Sequence, residues 1–131
     1  MPADPASPKP LLDRLGVRPD SRVAVVGVKD VDFRTELAAR VGEFADEAAD
    51  GPFDLVFLQA DRPEDLEAAD TLEPVLEPDG AVWIVHPRGS SDVPEAKVLA
   101  TGLAAGLVDN KVVRFSETHT AHRFVIPRER R

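Results

Sequence analysis

Three short runs of β-forming apolar residues constrain this chain more than any other feature in it. Arg22-Val23-Ala24-Val25-Val26-Gly27-Val28, Phe53 to Ala60 and Ala81 to Val85 are nearly unbroken by polar side chains. A strand with one wet face alternates apolar and polar residues. A strand covered on both faces reads as a continuous apolar run, the mark of a parallel sheet between helix layers. These three are strands of the second kind.

The segments between them carry helical spacing and boundary signals. Leu11, Leu12 and Leu15 share one helical face, and Gly16 supplies a stop. Asp32 to Val41 predicts a short helix with Phe33, Leu37 and Val41 spaced four apart. Glu43-Phe44-Ala45 is read as a remnant strand. Asp61 should cap a helix, with Glu64 completing a capping box and Pro63 tolerated in the first turn. Leu66, Ala69, Leu72 and Leu76 form its apolar stripe until Pro74 kinks or ends it. Glu77-Pro78-Asp79-Gly80 reads as a turn and His86 to Ser91 as a loop. Asp92 and Glu95 predict a second capping box around Val93 and Pro94, opening a helix to about Ala105 that Gly106 stops. Lys111 to Phe115 and Arg123 to Ile126 are the last strands, and their closeness in sequence favours antiparallel pairing. The polar stretch between them places His119 and His122 beside a solvated turn.

The sum is an α/β fold, a three-layer Rossmann-like sandwich. Its sheet is mostly parallel and closes in a C-terminal antiparallel hairpin. Residues 1–8 are expected to be a disordered leader, 9–127 one Rossmann-like domain and 128–131 a basic, solvated tail.

Composition narrows the function classes. The net charge of -8 disfavours nucleic acid, whose binders gather Lys and Arg into a positive footprint. There is no cysteine, so disulfides, thiolate metal sites and Cys nucleophiles are excluded. No apolar run approaches the roughly 18 residues of a membrane span. The N-terminus lacks a signal core, and the expected compartment is the cytoplasm.

The helix-linked parallel strands ending in an antiparallel pair resemble the core of class I S-adenosylmethionine (SAM)-dependent methyltransferases. In that family the final strand inserts between its two predecessors. Phe53-Asp54-Leu55-Val56-Phe57-Leu58 looks like the family's fourth strand. Leu76-Glu77-Pro78-Asp79-Gly80-Ala81-Val82-Trp83-Ile84 looks like its L-x-P-G-G turn into the fifth, with Asp79 replacing the first glycine. Ala105-Gly106-Leu107-Val108 and Lys111-Val112-Val113 look like the approach to the sixth. Over nearly its whole length the chain is similar to a family of small uncharacterised bacterial proteins, common in actinobacteria and of unknown function. The shared features are Leu15-Gly16-Val17-Arg18-Pro19, the Gly106 to Lys111 segment and Phe124-Val125.

The methyltransferase resemblance implies a glycine-rich turn after the first strand and an acidic ribose partner after the second. Here the turn is Val26-Gly27-Val28-Lys29-Asp30, with one glycine, and the second strand is reduced, leaving only Glu43 nearby. The position of the Asn-Pro-Pro-Tyr motif of amino-methylating members is held by Gln59-Ala60-Asp61-Arg62-Pro63. The expectation is a methyltransferase-like domain without a working SAM site, without a cofactor and with no metal. It would act as a binding module with a protein partner or as a homodimer, meeting neither nucleic acid nor membrane. The alternative is an enzyme or sensor for a small anionic or phosphorylated ligand. Ligands of open α/β sheets bind beyond the carboxyl ends of the strands. That rim carries Gly27, Lys29, Asp61, Arg88, Ser90 and Ser91 as candidate ligand-binding residues and His86 as a candidate acid or base.

Overall fold

The apolar runs become the centre of one five-stranded sheet in the computed structural model, which describes residues 9–131. The expected leader lies outside the described residues. The strands are β1 (Val23–Val26), β2 (Phe53–Gln59), β3 (Leu76–Pro87), β4 (Val108–Arg114) and β5 (His119–Val125), and the helices are α1 (Leu11–Arg14), α2 (Val31–Val41) and α3 (Glu95–Ala104). Their order across the sheet is β1-β2-β3-β5-β4. β1, β2 and β3 run parallel, while β5 pairs antiparallel with both β3 and β4. The last strand therefore inserts between its two predecessors.

Both faces of the sheet are covered. Val25, Phe57, Trp83, Val85 and Ala121 point to one side and pack with Leu12 of α1, Leu15 at its C-terminal cap, and Phe33 and Leu37 of α2. Val56, Val82, Ile84 and Phe124 point to the other and meet Leu66, Leu72 and Val98. The alternation along each strand explains why the sequence shows no polar face. Trp83 is fully buried, and its indole N–H donates to the Leu15 carbonyl at 3.1 Å, tying the first helix to the central strand. On the opposite face, a Cβ at Gly102 would lie 2.1 Å from the Phe124 ring, so the absent side chain is what lets α3 sit against β5.

Several local expectations change. The remnant strand is a single parallel bridge, Ala24 with Ala45, in which the Ala45 N–H donates to Val23 O and the Ala45 carbonyl accepts from Val25 N–H. The helix after β2 is a 3₁₀ segment, Pro63–Thr71, followed by a second, Glu73–Val75. Leu66, Ala69 and Leu72 are three apart, and three residues per turn stacks them in one row, which in an α-helix would drift around the axis. Its N-cap residue is Arg62, not Asp61, and the returning carboxylate is Asp65, not Glu64. Asp65 accepts from the amides of Asp61 and Arg62 at 3.2 and 3.0 Å.

The Asp92–Glu95 capping box does not form either. Pro94 is the N-cap of α3, and Ser90 Oγ accepts from the amides of Asp92 and Val93 at 3.1 and 3.2 Å, leaving Glu95 free for another partner. Glu77 to Gly80 do not end a segment; they lie inside β3 at a register shift against β2, between the Phe53–Leu76 and Leu55–Ala81 pairs. His86 and His119 belong to strands, so the loop after β3 starts later than expected and the polar stretch before β5 is shorter. The C-terminal Arg128–Arg130 forms a 3₁₀ turn in which Arg130 pairs with Glu73 at 2.8 Å. No helix among the described residues is long and apolar enough to cross a membrane.

Candidate functional site at the carboxyl rim of the sheet

The parallel strands deliver their carboxyl ends to one rim, and β5 begins there in the opposite direction. His86 pairs with Thr120, and Pro87 with His119, in the β3–β5 ladder. Alternation sends Val82, Ile84 and His86 to the α3 side of the sheet, where His122 and Phe124 of β5 also point. Two histidines thus meet under the first turn of α3. His86 is 4% exposed and His122 1%.

His86 Nε2 lies 2.9 Å from His122 Nδ1, and the rings stack with centroids 4.9 Å apart at 27°. His122 Nε2 lies 3.0 Å from Glu95 Oε2, on the first residue of α3. The chemistry of the chain fixes the proton positions in its neutral state. An ionised Glu95 can only accept, so His122 Nε2 carries the proton and its Nδ1 must accept from His86 Nε2–H. His86 Nδ1 is then the bare nitrogen. It is buried and has no hydrogen-bond partner among the described residues. The Pro87 backbone lies near enough to act on the ring electrostatically but outside hydrogen-bond geometry.

Burial holds the His86 pKa below the ordinary histidine value, and the neighbouring His122 pushes it the same way. The Pro87 backbone and Glu95 oppose them, and His119 adds a smaller lowering. The arrangement can store one proton. A proton taken at His86 Nδ1 allows the Nε2 proton to pass to His122, which places the positive charge beside Glu95. Two protons would set two buried cations 2.9 Å apart.

A second imidazole–carboxylate pair stands beside the first. His119 Nε2 is 2.8 Å from Asp61 Oδ1, and Thr118 Oγ1 is 2.8 Å from His119 Nδ1. Gln59 Nε2 donates to Asp61 Oδ2 at 3.0 Å, so the ends of β2 and β5 are clasped across β3. Ser116 Oγ accepts from the amides of Thr118 and His119 and shapes the turn into β5. Among the described residues no group of three or more His, Asp or Glu side chains converges as a metal would require.

The remaining expected residues are on the rim but not in one site. Lys29 is exposed after β1, and Arg88 after β3, so β2 separates their strands by about 10 Å at ordinary strand spacing. Arg88 is spent on the loop, its amide donating to Thr118 O at 2.9 Å and its guanidinium to Glu117 O at 3.4 Å. Ser90 caps its own turn, and Ser91 is exposed. Asp61 serves His119 rather than a ligand or a helix cap.

Gly27 does take a positive φ of 76°, the conformation a tight turn after β1 requires. The turn is nonetheless closed behind it. Val28 and Phe33 are each 2% exposed, and Phe33 packs on Phe57 and Phe115 with centroids 5.1 and 4.9 Å away. The Val28 carbonyl accepts from Arg34, and Asp30 caps α2 by accepting from the Phe33 amide. Glu43 is exposed next to the single bridge and belongs to no second strand.

The sequence reading missed His122 and Glu95, and placed His119 in solvent. One signal was available. In Ala121-His122-Arg123-Phe124, His122 has the parity of Phe124, so a strand that buries one buries the other.

Comparison with solved structures places this geometry among methyltransferase folds. A putative methyltransferase from Thermoplasma acidophilum is similar over 90% of this chain and 74% of its own, with 14% identity and a TM-score of 0.62. A TehB-like SAM-dependent methyltransferase from Corynebacterium glutamicum is similar over 88% and 85%, with 14% identity and a TM-score of 0.58. The fibrillarin pre-rRNA processing protein of Methanococcus jannaschii is similar over 83% and 67%, with 14% identity and a TM-score of 0.57. At such identities the likeness is one of fold. No curated protein matches the chain. Residues 12–128 match the model of a family described as a protein of unknown function, DUF3052, and the chain belongs to that family.

Proposed function

We propose that this domain is a binding module on a methyltransferase fold that no longer holds SAM. The observation that carries the reading is the closed turn after β1. A cofactor's methionine part would need the backbone there bare and accessible; instead Val28 turns inward onto the core and Phe33 fills the space behind it. The absent second strand removes the usual place for a carboxylate that binds ribose. Titration calorimetry of SAM and of S-adenosylhomocysteine into the protein is expected to give no binding heat. A dissociation constant in the micromolar range for either would overturn the proposal.

A second reading is favoured by the bare buried nitrogen of His86. It is a sensor or enzyme for an anionic or phosphorylated ligand at the rim that spans β2 from Lys29 to Arg88, drawing Arg88 from its loop contact, with the His86–His122–Glu95 chain as the proton store. A thermal-melt screen with nucleotides and sugar phosphates tests it. That reading expects a stabilising ligand whose effect is lost in Lys29→Ala and Arg88→Ala; no stabilisation by any of them would discard it.

A further inference from the structure

β4 closes the sheet on one side, and among the described residues no strand lies beyond it. It is seven residues long, and all but Val113 are exposed. Val112 is 55% exposed, and so an apolar side chain stands on an open edge. Phe115 N donates to His119 O, and alternation along the ladder then turns the backbone of Val113 and Lys111 inward and that of Val112 outward. The Arg14 guanidinium covers the Arg114 carbonyl at 3.2 Å, leaving the Val112 N–H and C=O to the outside.

A bulge is one of the means by which proteins blunt such edges. Here it also fixes which residues share a face. Asp109 pairs with Phe124 and Lys111 with Arg123, so Asn110 is the extra residue. Val112 pairs with His122 and Arg114 with Thr120. Asp109, Val112 and Arg114 therefore all point to the α3 side of the sheet, with Asp109 and Arg114 each two ladder positions from Val112, in opposite directions. Neither charged side chain has an ion-pair or hydrogen-bond partner among the described residues.

That spacing is self-complementary. When two copies of β4 pair antiparallel with Val112 at the dyad, each Asp109 faces Arg114 of the partner subunit. The two Val112 residues meet at the centre and exchange their N–H and C=O bonds. Val98 and Gly102 of α3 face the sheet, and Lys97, Thr101 and Ala104 line the groove against Pro63 and Leu66. Leu103 is left on the opposite flank, above the β4 edge, and is 68% exposed.

We infer that the outer edge of β4 is a homodimer interface in which two copies continue the sheet about Val112, held by reciprocal Asp109–Arg114 pairs. The inference rests on the proposed role as an interaction module but not on the state of the cofactor turn. It identifies the occupant as a second copy because opposite charges at equal spacing about an apolar centre match themselves in a two-fold pairing.

Sedimentation equilibrium of the full chain at micromolar concentration tests it. The expected mass is twice 14.2 kDa. Val112→Lys should return the monomer, and Asp109→Arg or Arg114→Asp alone should weaken association about tenfold, since each lesion is repeated by symmetry and sets like charges opposite. The combined Asp109→Arg, Arg114→Asp protein should recover the dimer. All three residues are exposed, so far-UV circular dichroism should show an unchanged fold. A monomer throughout overturns the inference, as does a dimer that Val112→Lys leaves intact or that the double exchange fails to restore. A monomer that also gives no heat with SAM would remove the dimer and leave the cofactor proposal standing.

Discussion

Replacing Trp83 by alanine is expected to lower the folding free energy by about 3–5 kcal/mol, a large share of the 5–15 kcal/mol typical of a domain. Trp83 lies in the middle of β3, the central strand, and is fully buried between β2 and β5 under α1. Truncation would remove its contacts with Leu15 and the strand neighbours and leave a void that a close-packed sheet cannot collapse to fill. It would also orphan the Leu15 carbonyl, which now accepts the indole N–H. Trp83→Phe separates the two contributions, since it retains most of the ring volume but loses the donor. That variant should cost about 1–3 kcal/mol. Trp83 is the only tryptophan, so the variants have no intrinsic indole signal and the denaturant midpoints are to be followed by far-UV circular dichroism. A loss under 1 kcal/mol for Trp83→Ala would mean that β3 does not pack as described.

Mild acid is the second large perturbation. His86 is held below the ordinary histidine pKa, first by burial and then by His122. The unfolded chain, with an ordinary histidine near 6.5, therefore binds a proton at a pH where the folded chain does not. Stability contributed by the neutral ring is complete above about pH 6.5 and is lost as pH falls from there towards the folded-state value, after which the dependence levels off. For one proton the slope cannot exceed about 1.4 kcal/mol per pH unit. The groups that face His86 from the packed elements are His122 and His119 of β5 and Glu95 of α3. Ordinary carboxylates titrate near pH 4, so the histidine window stands apart from general acid unfolding. Denaturant titrations from pH 7.5 to 5 should show the loss in the natural protein and a flatter profile in His86→Phe. A profile without slope between pH 6.5 and 5 would mean that folding does not hold the His86 ring neutral.

How much of this was legible depends on the range of the interactions involved. β1, β2 and the core of β3 were plain because burial on both faces writes an apolar run into the sequence itself. The insertion of β5 between β3 and β4 was visible only through the methyltransferase resemblance, since no local signal records which strands become neighbours. The capping residues were misassigned for a related reason. Asp61 and Glu95 carry good local signals for helix starts, yet each is drawn to a histidine on β5, 58 and 27 residues away in sequence. Leu66, Ala69 and Leu72 fit a 3₁₀ period as well as a helical one over so short a span, and Pro74 tips the balance. His86 was singled out for its place near a strand end, and it lies there, buried near the end of β3. Its partners were not, because a histidine in a polar stretch looks solvated until the strand parity set by Phe124 is considered. Lys29 and Arg88 share a rim by topology alone; the strand order keeps β2 between them.

The dimer edge shows the converse. Asp109, Val112 and Arg114 carry no pattern in the sequence, because the bulge at Asn110 alters the parity that would reveal it. Only the ladder register makes the three coplanar.

If fold and cofactor have parted at the turn after β1, as proposed, amide-resolved NMR during addition of SAM will show it there. Saturating SAM should leave the amide resonances of Gly27, Val28, Lys29 and Phe33 in place. Saturable shifts at those four amides, together with their strand neighbours on β1 and β2, would show a cofactor bound at the turn and overturn the proposal.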